Sequence, residues 1–179
     1  MTPGVVTHQA LGDIGLMTGH PNMAVVEAAD ATDRDALLDA VYPDEGSTYV
    51  RALRGEVPRF FQEPVESGRH PANGVGDSSR EPRSGVGICP TLTPCDDVGL
   101  YEKLSGALIV ITVKDHRVTS GLGRIVSEVH LEHGYSTRLL RVGVKDTFTH
   151  GGIPGYLENF YGIGGKRYQD YRSGCAGTG

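Results

Sequence analysis

The chain has 179 residues, enough for one ordinary domain or two small ones. Hydrophobic residues make up 38% of it and 26 residues are glycine, so it can form a core with many tight turns. The 17 basic and 22 acidic residues give a net charge of −5, which argues against a dedicated nucleic-acid-binding protein. Three cysteines, an odd number, do not make a disulfide framework and favour a reducing compartment.

No apolar run approaches the roughly 18 residues that span a bilayer. The first residues, Met-Thr-Pro-Gly-Val-Val-Thr-His, lack the basic start and apolar core of a signal peptide. The sequence therefore predicts a cytoplasmic protein with no membrane partner.

The first region, residues 7–60, predicts a strand, a helix and a second strand. A short helix around Leu11 and Ile14 precedes an apolar strand over residues 23–28. Asp30 is a predicted N-cap, and the strand that follows the helix covers residues 48–53. The apolar face of the helix contains Ala36, Leu37, Ala40 and Val41. Short connections predict a βαβ unit with parallel strands.

The second region, Gln62–Gly87, has the composition of a linker. Its only apolar side chains other than glycine and proline are Val65, Ala72, Val75 and Val86. So few apolar groups cannot offset the entropy of ordering the chain, and we expect a flexible linker that is open to protease.

The third region, residues 88–163, again alternates strands and helices. Thr93 and Pro94 predict a helix start, and Gly121 opens a second helix that ends near Gly134. A third helix begins at Pro154 and is closed by Gly162. The predicted strands cover residues 86–89, 107–113 and 138–144 and form one small parallel sheet, with 107–113 in the centre. The polar, glycine-rich tail from residue 164 is expected to be disordered.

Histidine and cysteine spacings do not indicate a metal site. His130 and His133 are three residues apart, and Cys89 and Cys95 are six apart. Neither spacing is that of a zinc signature, so loop or surface histidines are favoured. Gly121-Leu122-Gly123 resembles a phosphate-binding turn, but Val126 replaces the third glycine of a dinucleotide fingerprint. Tight helix–strand packing explains these glycines equally well.

Several segments resemble the transketolase family. Four segments near the start of the chain resemble the second half of the family's pyrimidine-binding domain and follow one another in the same order. They are Thr7-His8-Gln9, Asp13-Ile14-Gly15-Leu16-Met17, His20-Pro21-Asn22-Met23-Ala24-Val25-Val26 and Asp30-Ala31-Thr32. Tyr49-Val50-Arg51 to Arg54-Gly55 looks like the last strand of that domain and its substrate-facing arginine. The C-terminal domain of the family is resembled by Thr91-Leu92-Thr93-Pro94-Cys95-Asp96, Val113-Lys114-Asp115-His116 with Gly121-Leu122-Gly123, Val142-Gly143-Val144-Lys145-Asp146-Thr147-Phe148 and Tyr161-Gly162-Ile163. Thr149-His150-Gly151-Gly152 is closer to the split type, in which this half is a separate subunit.

The resemblance implies an α/β fold in four parts. Residues 1–61 would be the βαβ end of a pyrimidine-binding domain, and residues 62–87 a long linker. Residues 88–163 would form a small three-layer α/β domain of the transketolase C-terminal type, followed by a disordered tail over 164–179. The family's aminopyrimidine glutamate and aromatic pocket lie upstream of Thr-His-Gln, so the chain is expected to be truncated.

The resemblance also implies roles. His8 and Arg54 match the family residues that bind the sugar phosphate, and an arginine beyond a parallel strand suits that ligand. For Arg54 alone, a surface salt bridge is the simpler interpretation. Thiamine diphosphate and Mg²⁺ would belong to an assembled enzyme, formed as a homo-oligomer or with a transketolase N-terminal subunit. The isolated chain would have no catalytic, cofactor-binding or metal-binding residue, and Asp115-His116 is interpreted as structural.

Three hypotheses follow. The chain is a transketolase-like subunit for ketol transfer, an inactive fragment that serves at most as an interaction module, or an unrelated nucleotide-binding α/β protein that uses Gly121–Gly123. The first is favoured as ancestry and the second for this polypeptide alone, and the order of the motifs disfavours the third.

Overall fold

The computed structural model describes residues 10–42, 45–52, 59 and 87–164. His8, Arg54, nearly all of the predicted linker and the tail beyond Gly164 lie outside the described residues. The fold is α/β, as predicted, with these elements in chain order: α1 Asp13–Met17, β1 Met23–Glu27, α2 Ala31–Val41, β2 Ser47–Arg51, β3 Thr91–Thr93, α3 Asp97–Leu104, β4 Ile109–Arg117, α4 Leu122–Glu132, β5 Arg138–Val144 and α5 Pro154–Tyr161. None of the described helices has the length and apolar character needed to cross a bilayer.

The chain divides into two compact units. The first, here the β1 unit, runs from Leu16 to Lys103, and the second, the β4 unit, combines the chain up to Gly15 with the chain from Leu104. The predicted boundaries at residues 61, 87 and 163 stay predictions.

The β1 unit contains the predicted βαβ motif. Strands β1 and β2 are parallel, with Met23 opposite Ser47 and Glu27 opposite Arg51. The side chains of Glu27 and Arg51 form an ion pair that is largely buried. Above these strands α2 contributes Leu37 and Val41 to a core shared with Val26, Ala28 and the half-buried Val50.

A reciprocal pair of hydrogen bonds starts α2. Asp30 Oδ1 accepts from the Asp33 amide at 2.8 Å, which confirms the predicted N-cap. Asp33 Oδ2 in turn accepts from the Ala29 amide at 2.8 Å. Two backbone donors that the helix cannot satisfy are thus paired by side chains. Burial is the main reason why the pKa of Asp33 lies above its usual value.

Two predictions for residues 86–96 are wrong. The strand here is Thr91–Thr93, not 86–89, and it pairs antiparallel with Val25 and Val26 of β1. The predicted three-stranded parallel sheet therefore does not form in the described chain: β1, β2 and β3 make a mixed sheet, and β4 pairs with β5.

The second wrong prediction is the helix start at Thr93 and Pro94. Thr93 is engaged in β3, so it is not available as a cap, and α3 begins at Asp97. Asp96 Oδ1 accepts from the Gly99 amide at 2.9 Å, as an N-cap side chain does.

The β4 unit is built on β4 and β5, which run parallel from Ile109 opposite Arg138 to Val113 opposite Val142. The register shifts between Val113 and Arg117 of β4. Gly143 of β5 lies close to this part of β4, and a side chain would not fit there because its Cβ would lie 2.7 Å from the His116 carbonyl oxygen. Val126 and Val129 are the buried valines of α4. The later helix α5 has Pro154 in its first turn and ends at Gly162 in the left-handed region, both as predicted.

Candidate functional site

A buried histidine lies where α1, the end of β4 and the start of α4 meet in the β4 unit. His116 has no exposed surface, and its Nε2 lies 3.3 Å from Asp13 Oδ1. Its Nδ1 lies 3.3 Å from both Ser120 Oγ and the Arg117 carbonyl oxygen. The imidazole is therefore held from both sides, by a carboxylate on α1 and a hydroxyl before α4.

Two glycines allow this close arrangement. A Cβ on Gly15 would lie 2.9 Å from Ser120 Cβ. Glycine at this position therefore lets α1 lie close to the loop between β4 and α4, which contains Ser120. Gly121, the N-cap of α4, has φ 71°, a conformation that L side chains rarely adopt. The backbone also joins these segments, since the Arg117 amide donates to the Leu11 carbonyl at 3.2 Å.

Lys114 lies two residues before His116 on β4. Its burial lowers the pKa of the ammonium group to about 8, while the carboxylates of Asp115 and Asp13 act in the opposite direction. A cation in a partly desolvated position costs free energy unless negative charge compensates it.

Lys114 opens onto a small pocket between the two strands and the first turn of α4. Its polar lining consists of Thr112, Lys114, His116, Arg117, Ser120 and Arg141. Gly123 of α4 closes the pocket, and a Cβ there would lie 2.9 Å from Arg141 Cδ and 3.0 Å from Thr112 Oγ1. The glycine therefore lets the Arg141 side chain lie across the start of the helix.

This geometry decides how the Gly121-Leu122-Gly123 motif is interpreted. Both glycines have packing roles, one through its positive φ and the other through its contact with β5. The structure thus favours tight helix–strand packing over a dinucleotide turn. Asp115 is exposed and His116 is buried. The structural role expected for this pair stays a prediction.

Among the described residues, histidines and cysteines singled out in the sequence have structural contacts of their own. His130 Nδ1 donates to the Val126 carbonyl at 2.8 Å, and its ring stacks on Tyr135 with centroids 5.1 Å apart. Burial raises the pKa of the Cys89 thiol to about 12, so the thiol stays protonated at neutral pH. Among residues 10–42, 45–52, 59 and 87–164, no group of three or more His, Cys, Asp and Glu side chains could hold a metal ion.

Sequence reasoning missed an aromatic cluster around His150. Tyr161 Oη lies 2.8 Å from His150 Nδ1 and accepts from the His150 amide at 3.0 Å. The Phe160 ring meets the imidazole edge-on with centroids 4.7 Å apart. The spacing of eleven residues carries no periodic signal, although the aromatic content of α5 could have suggested a surface cluster.

Comparison with known proteins relates the chain to one family. No family model matches it. An uncharacterized transketolase family protein of Sinorhizobium fredii is 26% identical and is aligned over 90% of this chain and 56% of its own length. One of the subunits of the apulose-4-phosphate transketolase of Actinobacillus succinogenes is 25% identical over 80% of this chain and 54% of its own length.

A solved structure agrees with these relatives. A split-gene transketolase, described as an inactive β4 tetramer, superposes with a TM-score of 0.78 at 28% identity and covers 90% of this chain. The chain is a homologue of C-terminal and split transketolase subunits. It spans about half the length of the curated relatives it matches and 60% of the solved transketolase chain. The resemblance of its motifs to this family is thereby confirmed.

Proposed function

We propose that this chain is the C-terminal subunit or part of a transketolase-like enzyme that transfers two-carbon ketol units with thiamine diphosphate and Mg²⁺. The observation that carries the proposal is the common fold with a split transketolase over 90% of the chain. A transketolase N-terminal subunit would supply the rest of the active site, and the assembly would work in the cytoplasm.

In this proposal His8 and Arg54 bind the phosphate of a sugar substrate. Strand β2 is parallel to β1 and ends at Arg51, and Arg54 comes shortly after it in the sequence. Ligands of parallel sheets gather beyond the carboxyl ends of the strands, and an arginine there can bind a phosphate with two parallel hydrogen bonds. The position of Arg54 in the sequence, after the end of β2, supports the role that the family resemblance implies for it.

The described residues do not fit the cofactor by themselves. No group of acidic, histidine or cysteine side chains suited to a metal ion occurs in the described ranges, so no step through thiamine diphosphate is assigned to them. Following the family resemblance, we place the cofactor and Mg²⁺ in the assembled enzyme, and we keep residues 1–61, 62–87, 88–163 and 164–179 as the proposed division of the chain.

The surface of the β4 unit supports association. Large apolar side chains around α5 are exposed to solvent: Phe148, Ile153, Tyr156 and Phe160. Apolar patches of this kind mark interaction surfaces in soluble proteins. We assign this surface to contact with a second copy or with the N-terminal subunit.

The alternative is an inactive interaction module. It is favoured by the His116 site, whose carboxylate, imidazole and hydroxyl are all used to join α1 to the strand–helix loop. In that case the chain would bind its partner but add nothing to turnover.

Reconstitution separates the two proposals. The chain is mixed with a transketolase N-terminal subunit, thiamine diphosphate and Mg²⁺, and ketol transfer from a phosphorylated ketose is measured. For Arg54→Gln we expect KM to rise by about tenfold with a smaller change in kcat, because a charge-assisted hydrogen bond to substrate is lost. Arg34→Gln is the matched control, since Arg34 is exposed and pairs with Asp35 on α2.

Each outcome has a defined meaning. A stable complex without turnover would support the interaction module. No complex would contradict both proposals, and equal effects of the two arginine variants would remove Arg54 from the substrate site.

A further inference from the structure

Helix α5 and the segment before it expose a group of large apolar side chains, here called the α5 surface. Phe148 is 90% exposed and Phe160 is 61% exposed. The rings of Tyr156 and Phe160 lie with centroids 5.9 Å apart, and Phe160 also meets His150 edge-on. Exposed apolar groups that lie together mark a surface that binds another segment, whereas scattered ones are ordinary. The α5 surface consists of Phe148, Ile153, Tyr156 and Phe160.

The chain turns back beside α5 where this helix ends. Gly162 has φ 67°, in the left-handed region. The amides of Ile163 and Gly164 both donate to the Glu158 carbonyl, at 2.9 Å and 3.2 Å. A Cβ on Gly164 would lie 3.7 Å from Glu158 Cβ. The chain therefore leaves the described region at the side of the helix, and not along its axis.

The segment that follows Gly164 can reach the α5 surface. Eight extended residues, 165–172, span at most about 28 Å, whereas a helix with its side chains is about 10–12 Å across. Phe160 lies four positions before Gly164 in the sequence (164 − 160). A segment tethered so closely has an effective concentration in the millimolar range, so even a weak contact with the surface is populated.

The composition of residues 165–172 complements the α5 surface. Cationic side chains are attracted to the faces of aromatic rings, and tyrosine rings pack on aromatic groups. Glu158 is the charged residue of α5, and its exposed side chain adds negative charge next to the point where the chain leaves the helix. The segment contains three basic residues, two tyrosines and one acidic residue: Lys166, Arg167, Arg172, Tyr168, Tyr171 and Asp170.

We propose that residues 165–172 bind the α5 surface of their own chain, with their basic side chains against Glu158 and the aromatic rings. The proposal goes beyond the proposed function, which assigns the same surface to a subunit contact. The tail would cover the surface in the free chain, and a partner subunit would displace the tail when it binds. The apolar surface would thus be exposed only on assembly.

Paramagnetic broadening by a nitroxide on Cys175 tests the proposal in the full ¹⁵N-labelled chain. Burial raises the pKa of the Cys89 thiol to about 12 and is the main reason why the pKa of Cys95 also lies above its usual value. Both thiols therefore react slowly at neutral pH, and peptide mapping verifies that Cys175 carries the label. In NMR spectra we expect the strongest broadening at the amides of the α5 surface.

A tail variant separates binding from simple tethering. The nitroxide lies eleven residues beyond Gly164 (175 − 164), so it causes some broadening even when the tail is not bound. Lys166→Gln, Arg167→Gln and Arg172→Gln are combined in one chain. This variant should show at least about twofold less broadening at the α5 surface, because its contacts with aromatic rings and Glu158 are lost.

A matched pair of variants tests the surface itself. Phe148→Ser removes a side chain of the α5 surface that is 90% exposed, and it should also reduce the broadening. Leu131→Ser, on α4, removes an apolar side chain that is 80% exposed and does not belong to the α5 surface. The broadening in Leu131→Ser should equal that in the parent.

Either of two results would overturn the proposal. The first is equal broadening in the parent, the tail variant and Phe148→Ser. The second comes from a mixture of ¹⁵N-labelled chains without nitroxide and unlabelled chains with it: broadening as strong as in the parent would assign the α5 surface to a second copy. Both measurements use the chain without an N-terminal subunit, so their failure is distinct from a failure of the proposed function in reconstitution.

Discussion

The two units use the same motif, a helix over two parallel strands, with opposite chemistry at the contact. In the β1 unit the contact is apolar, with Leu37 and Val41 of α2 against Val26 of β1. In the β4 unit α4 adds Val126 and Val129, but the neighbouring strand face carries Thr112, Lys114 and His116. The β4 unit is therefore held at this contact by polar contacts of buried side chains, such as those of His116, as well as by apolar packing.

The largest expected effect is in the apolar contact. Leu37→Ala removes a side chain with no exposed surface and should lower the free energy of unfolding by about 2–5 kcal/mol. Leu38→Ala is the matched control because Leu38 is 42% exposed, and it should cost less than about 1 kcal/mol. Urea unfolding measures both, and similar values would refute the placement of this core.

The polar contact should respond less strongly. His116→Ala leaves Asp13 without its imidazole partner and should lower the free energy of unfolding by about 1–3 kcal/mol. Hydrogen exchange should show the loss at α1 and the start of α4, with the β1–β2 amides unchanged. His20→Ala, at an exposed position, is the control, and a uniform loss of protection would contradict the local role of His116.

The sequence predicted the parts of each unit that depend on local signals. Asp30 was recognised as a cap from its residue type, and the apolar runs gave β1, β4 and β5 within a few residues. Local signals gave the wrong prediction at Thr93, because Thr93 pairs with Val25 of β1, which lies 68 residues upstream (93 − 25).

The candidate site shows the same limit. Asp13 and His116 are 103 positions apart in sequence (116 − 13), so no periodicity connects them, and the family motifs named both without pairing them. The lining of the small pocket was likewise hidden, since Lys114 and Arg141 line it together only when β4 and β5 align.

A pH-dependent difference between the units should follow from Lys114. Its folded pKa of about 8 lies below the 10.5 of a free lysine, so the unfolded chain binds more protons between these values and stability should rise with pH there. Lys114→Met should remove this rise, while Lys145→Met, an exposed control, should keep it. Denaturation midpoints at pH 7.5, 9 and 10 measure the effect, and a parallel pH profile for both variants would argue against the burial of Lys114.

The smallest expected effect concerns Asp33 in the β1 unit. Its folded pKa is raised above 3.8, so protonated Asp33 stabilises the fold below that pH, and the contribution is lost as pH rises through the folded value. Asp33→Asn keeps an acceptor for the Ala29 amide, and its stability relative to the parent should improve from pH 4 to pH 7. Asp35→Asn is the exposed control, and an equal trend in that variant would assign the effect to surface charge.

The central claim is that this chain completes an active site only together with another subunit. Calorimetric titration with thiamine diphosphate and Mg²⁺ tests it most directly, on the chain alone and on its mixture with a transketolase N-terminal subunit. We predict no heat above dilution for the chain alone and saturable binding for the mixture. Saturable binding to the chain alone, or none to a mixture that forms a complex, would contradict the account.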